Sequence, residues 1–255
     1  MSISYARRPV FGKAPDTLVV EEPLEVQVNG KSLAVTMRTP GNELELALGF
    51  LYTEGIIAAP SDVVSAKLCN DNPNVVEVFL ERETELEARN FYTTSSCGVC
   101  GKASIDSVRV HSHHDVNADA LRVARGTLFD LPEKLRAAQR GFSKTGGSHA
   151  AGIFTATGEL VVAREDVGRH NALDKAIGTL FQRGALPLAG HVIMVSGRAS
   201  FELTQKAWVA GASMLAAVSA PSTLAVDLAT EAGMTLIGFL RGESMNVYSR
   251  PDRVV

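Results

Sequence analysis

Along the first third of the chain, apolar and polar positions alternate with the period of two expected of half-buried strands. Leu18–Val28 and Ser32–Met37 carry alternating or β-branched apolar residues, and Asn29-Gly30 between them signals a tight type I′ hairpin turn. Thr39-Pro40-Gly41-Asn42 then breaks the pattern. Asn42 with Glu45 three residues on fits a helix cap box, and Leu44, Leu48 and Leu51 share a helical face, so a helix is expected up to about Gly55. Val75–Leu80 and Arg89–Thr94 are expected as two further strands, the second feeding directly into a Ser/Gly-rich segment.

Between His111 and Asn117 the composition turns polar, and a domain boundary is placed there, dividing the chain into 1–115 and 116–255. Two helices are expected next, Ala118–Phe129 and Pro132–Arg140, the second with proline in its first turn and Gly141 just past its end. Strands follow at Ala151–Thr155, Glu159–Ala163, His191–Val195, Ala217–Ser219 and Thr235–Phe239. Helices at Asn171–Phe181, Ser200–Ala216 and Ser222–Ala232 intervene. This alternation predicts an α/β sandwich on a mixed or parallel sheet, joined to a smaller strand-rich domain, so the fold is α+β overall.

Composition narrows the class. At 255 residues the chain can bury a sizeable core, and its 45% hydrophobic and 21% charged content is that of an ordinary globular protein. A net charge of −3 gives no global basic field for nucleic acid. The opening MSISYARRPVFGKAP has basic residues but no apolar core of a secretory signal, and the low-polarity stretch Trp208–Pro221 is too short to span a bilayer. Three cysteines are too few and too odd in number for a disulfide framework. The expectation is a cytoplasmic, reduced protein in which a C-x-x-C pair is catalytic or metal-binding.

That pair is Cys97 and Cys100, in Thr94-Ser95-Ser96-Cys97-Gly98-Val99-Cys100-Gly101-Lys102. Lys102 can stabilise a thiolate, the reactive form of cysteine. A zinc site needs four ligands; Cys69 lies in a different segment, where it suits the core, and His111, His113 and His114 lack a second histidine at finger spacing. Gly98 and Gly101 oppose the helix start of a thioredoxin-like dithiol. A mobile nucleophilic thiol that passes on a group by exchange remains.

Three segments suit an anion. Gly146, Gly147, Ser148 and His149 form a turn with free backbone N–H groups, though most such loops are only turns. Ser196, Gly197, Arg198 and Ser200 lie at a strand-to-helix junction whose plain reading is a helix capped by Ser200. Phe239, Leu240, Arg241, Gly242, Glu243 and Ser244 end an apolar strand, where Arg241 either clamps an anion or pairs with Glu243. Glu165–Asn171 is either a solvated connection or a ligand-facing loop, and His149 and His170 are each most simply structural histidines.

Together these segments resemble the FdhD family, the formate dehydrogenase accessory sulfurtransferases. The resemblance runs through EEPLEVQVNG, MRTPGNELELALGFLYTEGII, TSSCGVCGKASI, FSKTGGSHAAGIF, REDVGRHNALDKAIG, SGRASFELTQKAWVAGASMLAAVSAPSTLAV and TLIGFLRGESMNVYS. It implies a sulfur carrier that takes sulfur from a cysteine desulfurase as a persulfide on a C-x-x-C cysteine. The carrier passes it to the molybdenum cofactor, in its bis-guanine-dinucleotide form, before insertion into formate dehydrogenase. The matching cysteines are Cys97 and Cys100, with Cys97 favoured as carrier, and the cofactor-contacting segment matches Phe239–Ser244. The resemblance also implies a cytidine-deaminase-like second domain, a homodimer and GDP as a fragment ligand, with no protein-bound metal expected. No H-x-E and P-C-x-x-C zinc-deaminase pair occurs in the sequence, which argues against deamination. The competing readings are a zinc-binding adaptor using Cys97, Cys100 and the histidines near 111–114, and a deaminase-like nucleotide-binding protein.

Overall fold

The computed structural model describes residues 4–81, 91–93, 110 and 112–255, with 91–93 by backbone alone. The chain opens with a two-stranded antiparallel ribbon, β1 (Tyr5–Val10) and β2 (Lys13–Val19), which forms a sheet of its own. A break at Val20-Glu21 separates it from β3 (Glu22–Val28), so the apolar run from Leu18 is two strands. Asn29 and Gly30 both take positive φ, 49° and 77°, as a type I′ turn requires, and lead into β4 (Lys31–Arg38).

Helix α1 (Glu43–Thr53) follows, but the expected cap box does not form. Asn42 sits at φ 64° without capping through its side chain, and the Glu43 carboxylate instead accepts from the Gly41 N–H at 2.6 Å. Glu45 is drawn away by Arg164, 3.0 Å distant. Strands β5 (Val63–Leu68), β6 (Val75–Leu80) and β7 (Phe91–Thr93) complete a five-stranded sheet in the order β5-β6-β3-β4-β7.

The two helices expected after residue 117 are arranged differently. Residues 119–124 are not helical, and one helix, α2 (Arg125–Ala138), continues straight through Pro132. Proline inside a helix costs about 3 kcal/mol, but Leu128, Leu131 and Leu135 are all buried on one face, and that packing holds the helix together. Gly141 lies within the next short helix, α3 (Arg140–Thr145), which ends at Gly146 with φ 65°.

The second sheet is built from β8 (His149–Thr155), β9 (Leu160–Asp166), β10 (His191–Val195), β11 (Met214–Ala217), β12 (Thr235–Arg241) and β13 (Ser244–Ser249). Its order is β13-β12-β11-β10-β8-β9, with β10, β11 and β12 parallel and the outer pairs antiparallel. Helices α4 (Arg169–Gln182), α5 (Phe201–Val209) and α6 (Thr223–Glu231) connect these strands. The helix expected over Ser200–Ala216 therefore ends seven residues early. Gly211, at φ 76°, terminates it, and Met214–Ala217 becomes a strand buried on both faces in place of the one expected at Ala217–Ser219.

Alternation along the strands sorts the core into two layers. Phe154, Val192, Met194, Met214 and Ile237 face the α2 leucines. Ile153, Ile193, Leu215 and Leu236 face the other way, in a cluster that also holds Ala176, Ile177 and Leu203. The result is a sheet between helical layers, within a mixed α+β molecule. The second cluster extends without a break into Leu24, Val26, Leu46 and Leu51 of the first half. Helices α1 and α4 cross there so closely that a Cβ on Gly49 would stand 1.9 Å from the Asp174 carbonyl oxygen, and one on Gly178 1.8 Å from that of Glu45.

Candidate functional site

The end of β8 nearest α3 and the end of β12 nearest β13 border one cavity of about 630 Å³. Gly146, Gly147, Ser148 and His149 line it, with Ser196, Leu240, Arg241 and Gly242. Residues from all three sequence-selected segments thus converge on one space, whose volume lies in the range of small-molecule sites. α2, α3 and the residue joining them supply the facing wall through Glu133, Leu135, Arg136, Gln139 and Phe142. Sequence reasoning missed this wall.

Local structure explains how each group is held. The Glu165 carboxylate accepts from the N–H groups of Gly141 and Phe142, both at 2.8 Å, and from the Ser148 hydroxyl at 2.7 Å. It caps α3 and ties the 146–149 turn to β9. The Ser196 hydroxyl accepts from the Ala150 N–H at 2.9 Å. Phe239 is held at φ 52° while its N–H donates to the Ser219 carbonyl at 3.1 Å; a non-glycine residue in that region stores strain. Arg241 donates through Nε to the Val218 carbonyl at 3.1 Å, and its guanidinium lies 5.7 Å from the Phe239 ring centre. On the opposite wall, the Arg136 guanidinium stacks 4.0 Å from the Phe142 ring centre. Two arginines, each backed by an aromatic ring, are thus presented to one cavity.

The other selected residues divide. Gly242, at φ 51°, makes the turn from β12 into β13, and Glu243 and Ser244 are exposed on that hairpin, which the sequence showed only as a strand end. Gly197 lies against the His149 ring, where a Cβ would meet Nδ1 at 3.4 Å. Arg198 is exposed and outside the cavity lining. Ser200 caps α5, accepting from the Leu203 N–H, and its hydroxyl is 3.3 Å from His170 Nε2. Cys97, Cys100 and His111 lie outside the described residues. Among the described residues no group of three or more His, Cys, Asp or Glu is placed to hold a metal ion, and no helix is long and apolar enough to cross a membrane.

A second cavity of about 250 Å³ lies between β3 and β4 on one side and α4 and α5 on the other. His149 lines both cavities. Burial and the Arg169 charge hold His149 below the ordinary histidine range. Burial, with Arg169, Lys206 and His149, drives His170 down to about 3, so it stays neutral although Glu202 is 3.3 Å away. Lys206 is buried against Asp174 at 2.9 Å and Thr53 at 2.9 Å. Burial opposes its charge, but Asp174, Glu54 and Glu202 outweigh that and hold it protonated.

The Glu165–Asn171 segment is neither a solvated connection nor simply ligand-facing. Asp166 is fully buried and accepts from Lys175 at 2.7 Å, the Thr39 N–H at 3.0 Å and the Gly168 N–H at 2.8 Å. Asn171 donates to the Met37 carbonyl at 2.7 Å. These bonds fasten the second sheet to the end of β4. Only Val167 to Asn171 face the smaller cavity.

The molecule is thus a mixed α+β protein with an arginine-bearing cavity at strand ends of its layered half, beside a polar seam to the other sheet. Residues 19–255 match the model of the FdhD/NarQ family, and the chain belongs to that family. It is 55% identical over 252 residues to the sulfur carrier protein FdhD of Streptomyces coelicolor, covering 94% of this chain and 89% of that one. It is 43% identical over 254 residues to the protein of the same name from Sulfolobus acidocaldarius, covering 100% and 97%. In fold it is similar to the crystal structure of a formate dehydrogenase accessory protein from Desulfotalea psychrophila, with a TM-score of 0.76, 20% identity, and 98% and 97% of the two chains covered.

Proposed function

We propose that this protein is a sulfur carrier for formate dehydrogenase maturation. It accepts sulfur from a cysteine desulfurase as a persulfide and transfers it to the molybdenum cofactor in its bis-guanine-dinucleotide form. In the loading step the Cys97 thiolate attacks the terminal sulfur of the donor's persulfide; a new S–S bond forms on Cys97, and the donor leaves as its thiolate. Cys100 is the second thiol of the pair. The 630 Å³ cavity would hold the nucleotide end of the acceptor, with Arg136 and Arg241 donating to its pyrophosphate.

The observation that carries this reading is the convergence of residues 146–149, Ser196 and 240–242 with two ring-backed arginines on one cavity, in a chain of the FdhD/NarQ family. Guanidinium groups suit a pyrophosphate because they donate in bidentate pairs. The anchors of the cysteine segment support it too. Thr93 is in register with Thr36, which lines the smaller cavity, and the Val110 N–H donates to Gln205 of α5 at 3.0 Å. Cys97 lies four positions beyond Thr93, a contour length of at most about 14 Å.

Intact-mass measurement after incubation with a cysteine desulfurase and cysteine tests the loading step. One added sulfur is expected on the wild type and none on Cys97→Ala. Full loading and full client activation by Cys97→Ala would reject Cys97 as the carrier. Calorimetry with GDP tests the cavity, and absence of binding would remove the nucleotide site.

A further inference from the structure

The β1–β2 ribbon has no role in the reading above, and it is built unlike the rest of the molecule. Almost every side chain on it is exposed, and Phe11 at its tip is fully so, at 104%. Val10 and Leu18 add exposed apolar surface. Isolated two-stranded hairpins are marginal in water, so this one is held at its base: Lys144 donates to the Tyr5 hydroxyl at 2.6 Å and lies over that ring at 4.3 Å, and Ser4 donates to the Pro40 carbonyl at 3.0 Å. The tip is left free to meet something else.

From the ribbon's structure we infer that it is a docking arm for the cofactor-free client enzyme, gripping an acidic surface with an apolar hollow that receives Phe11. Charge sets the partner's sign. Arg7, Arg8 and Lys13 against Asp16 give the arm a net +2, on a chain whose total is −3. Pro9 and Pro15 lie within its strands, so the arm is poorly suited to extending a partner's sheet and grips through side chains. Position favours the client. Val19, at the arm's base, packs against Gly147, where a Cβ would meet its Cγ1 at 3.1 Å, and Gly147 lines the nucleotide cavity. A protein that takes the cofactor from that cavity must approach this wall. Residues 5–18 also precede the part of the chain that the family model matches.

The inference rests on the sulfur-carrier reading, and the test keeps the two apart. The probe is the catalytic subunit of a formate dehydrogenase from the organism that encodes this chain, purified without cofactor. Its affinity for the full-length protein is measured by interferometry at two salt concentrations. Phe11→Ser and the pair Arg7→Glu with Arg8→Glu should each weaken binding at least tenfold. The charge reversals should also flatten the salt dependence. GDP binding and sulfur loading should match the wild type in both variants. Unchanged affinity in both, or a wild type that does not bind the subunit, overturns the arm's role. So does size-exclusion with light scattering that shows the variants turned from dimer to monomer, since the arm's occupant would then be a second copy. A wild type that binds the subunit arm-dependently, yet neither loads sulfur nor binds GDP, upholds the arm and overturns the sulfur-carrier reading.

Discussion

Single residues set the electrostatics on both sides of His149. His170 is held neutral by burial and by the charges of Arg169 and Lys206, with its ionisation down to about 3. In the unfolded chain it titrates at about 6.5. Below that pH the unfolded state binds a proton that the folded state refuses, so stability is lost as pH falls from about 6.5, by up to about 1.4 kcal/mol per unit. His170→Gln should therefore lose less stability than the wild type between pH 7 and pH 5 in denaturant titrations; equal losses would mean His170 is charged in the fold. Across the wall, Arg241→Ala should weaken GDP binding by about 1–3 kcal/mol, the usual cost of one charge-assisted pair. Under the proposed sulfur-carrier reading loading and delivery use different groups, so sulfur loading on Cys97 should be untouched. Calorimetry and intact-mass loading on the same variant check both halves.

Elements were legible in the sequence wherever a local signal decides them. Asn29-Gly30 made a hairpin inevitable, and the strands Val75–Leu80 and His191–Val195 form with the bounds their apolar runs suggest. Where packing decides, the signal fails. Pro132 looks like a helix start and is instead bridged by the leucine face of α2. Met214–Ala217, apolar on every side, cannot be told from the end of a helix by periodicity. The site divides in the same way: strand ends announce themselves, whereas Arg136 and Phe142 look like ordinary surface residues until α2 and α3 fold over the cavity. Gly49 and Gly178 gave no sign either, since their use is close approach and not turning. Adding a methyl to either places it within 2 Å of a backbone oxygen on the other helix. Gly49→Ala should cost about 1–3 kcal/mol or more by forcing α1 from α4. Equilibrium denaturation measures it, and a change below about 0.5 kcal/mol would mean the crossing yields freely.

At the scale of the whole molecule, two sheets share one core. Leu24, Leu46 and Leu51 belong to the same apolar cluster as Ile153, Ile177 and Leu215. Buried polar bonds fix the same seam: Lys175 donates to the Thr39 carbonyl at 2.8 Å, and Arg164 meets Glu45 at 3.0 Å. Strand β4, on which β7 pairs, is therefore fastened at its end to the half that holds the cavity. Removing 1–115 would expose Ala172, Ala176 and Ile177 and leave the Asp166 and Asn171 bonds to Thr39 and Met37 unmade. Unmade buried hydrogen bonds cost about 1–3 kcal/mol each, against a typical total stability of about 5–15 kcal/mol. The chain should therefore unfold in one transition, with calorimetric and van't Hoff enthalpies equal, and the fragment 116–255 alone should aggregate or bind no GDP. Two resolved transitions, or a folded fragment with full GDP affinity, would mean that the halves are independent and that the seam only joins them.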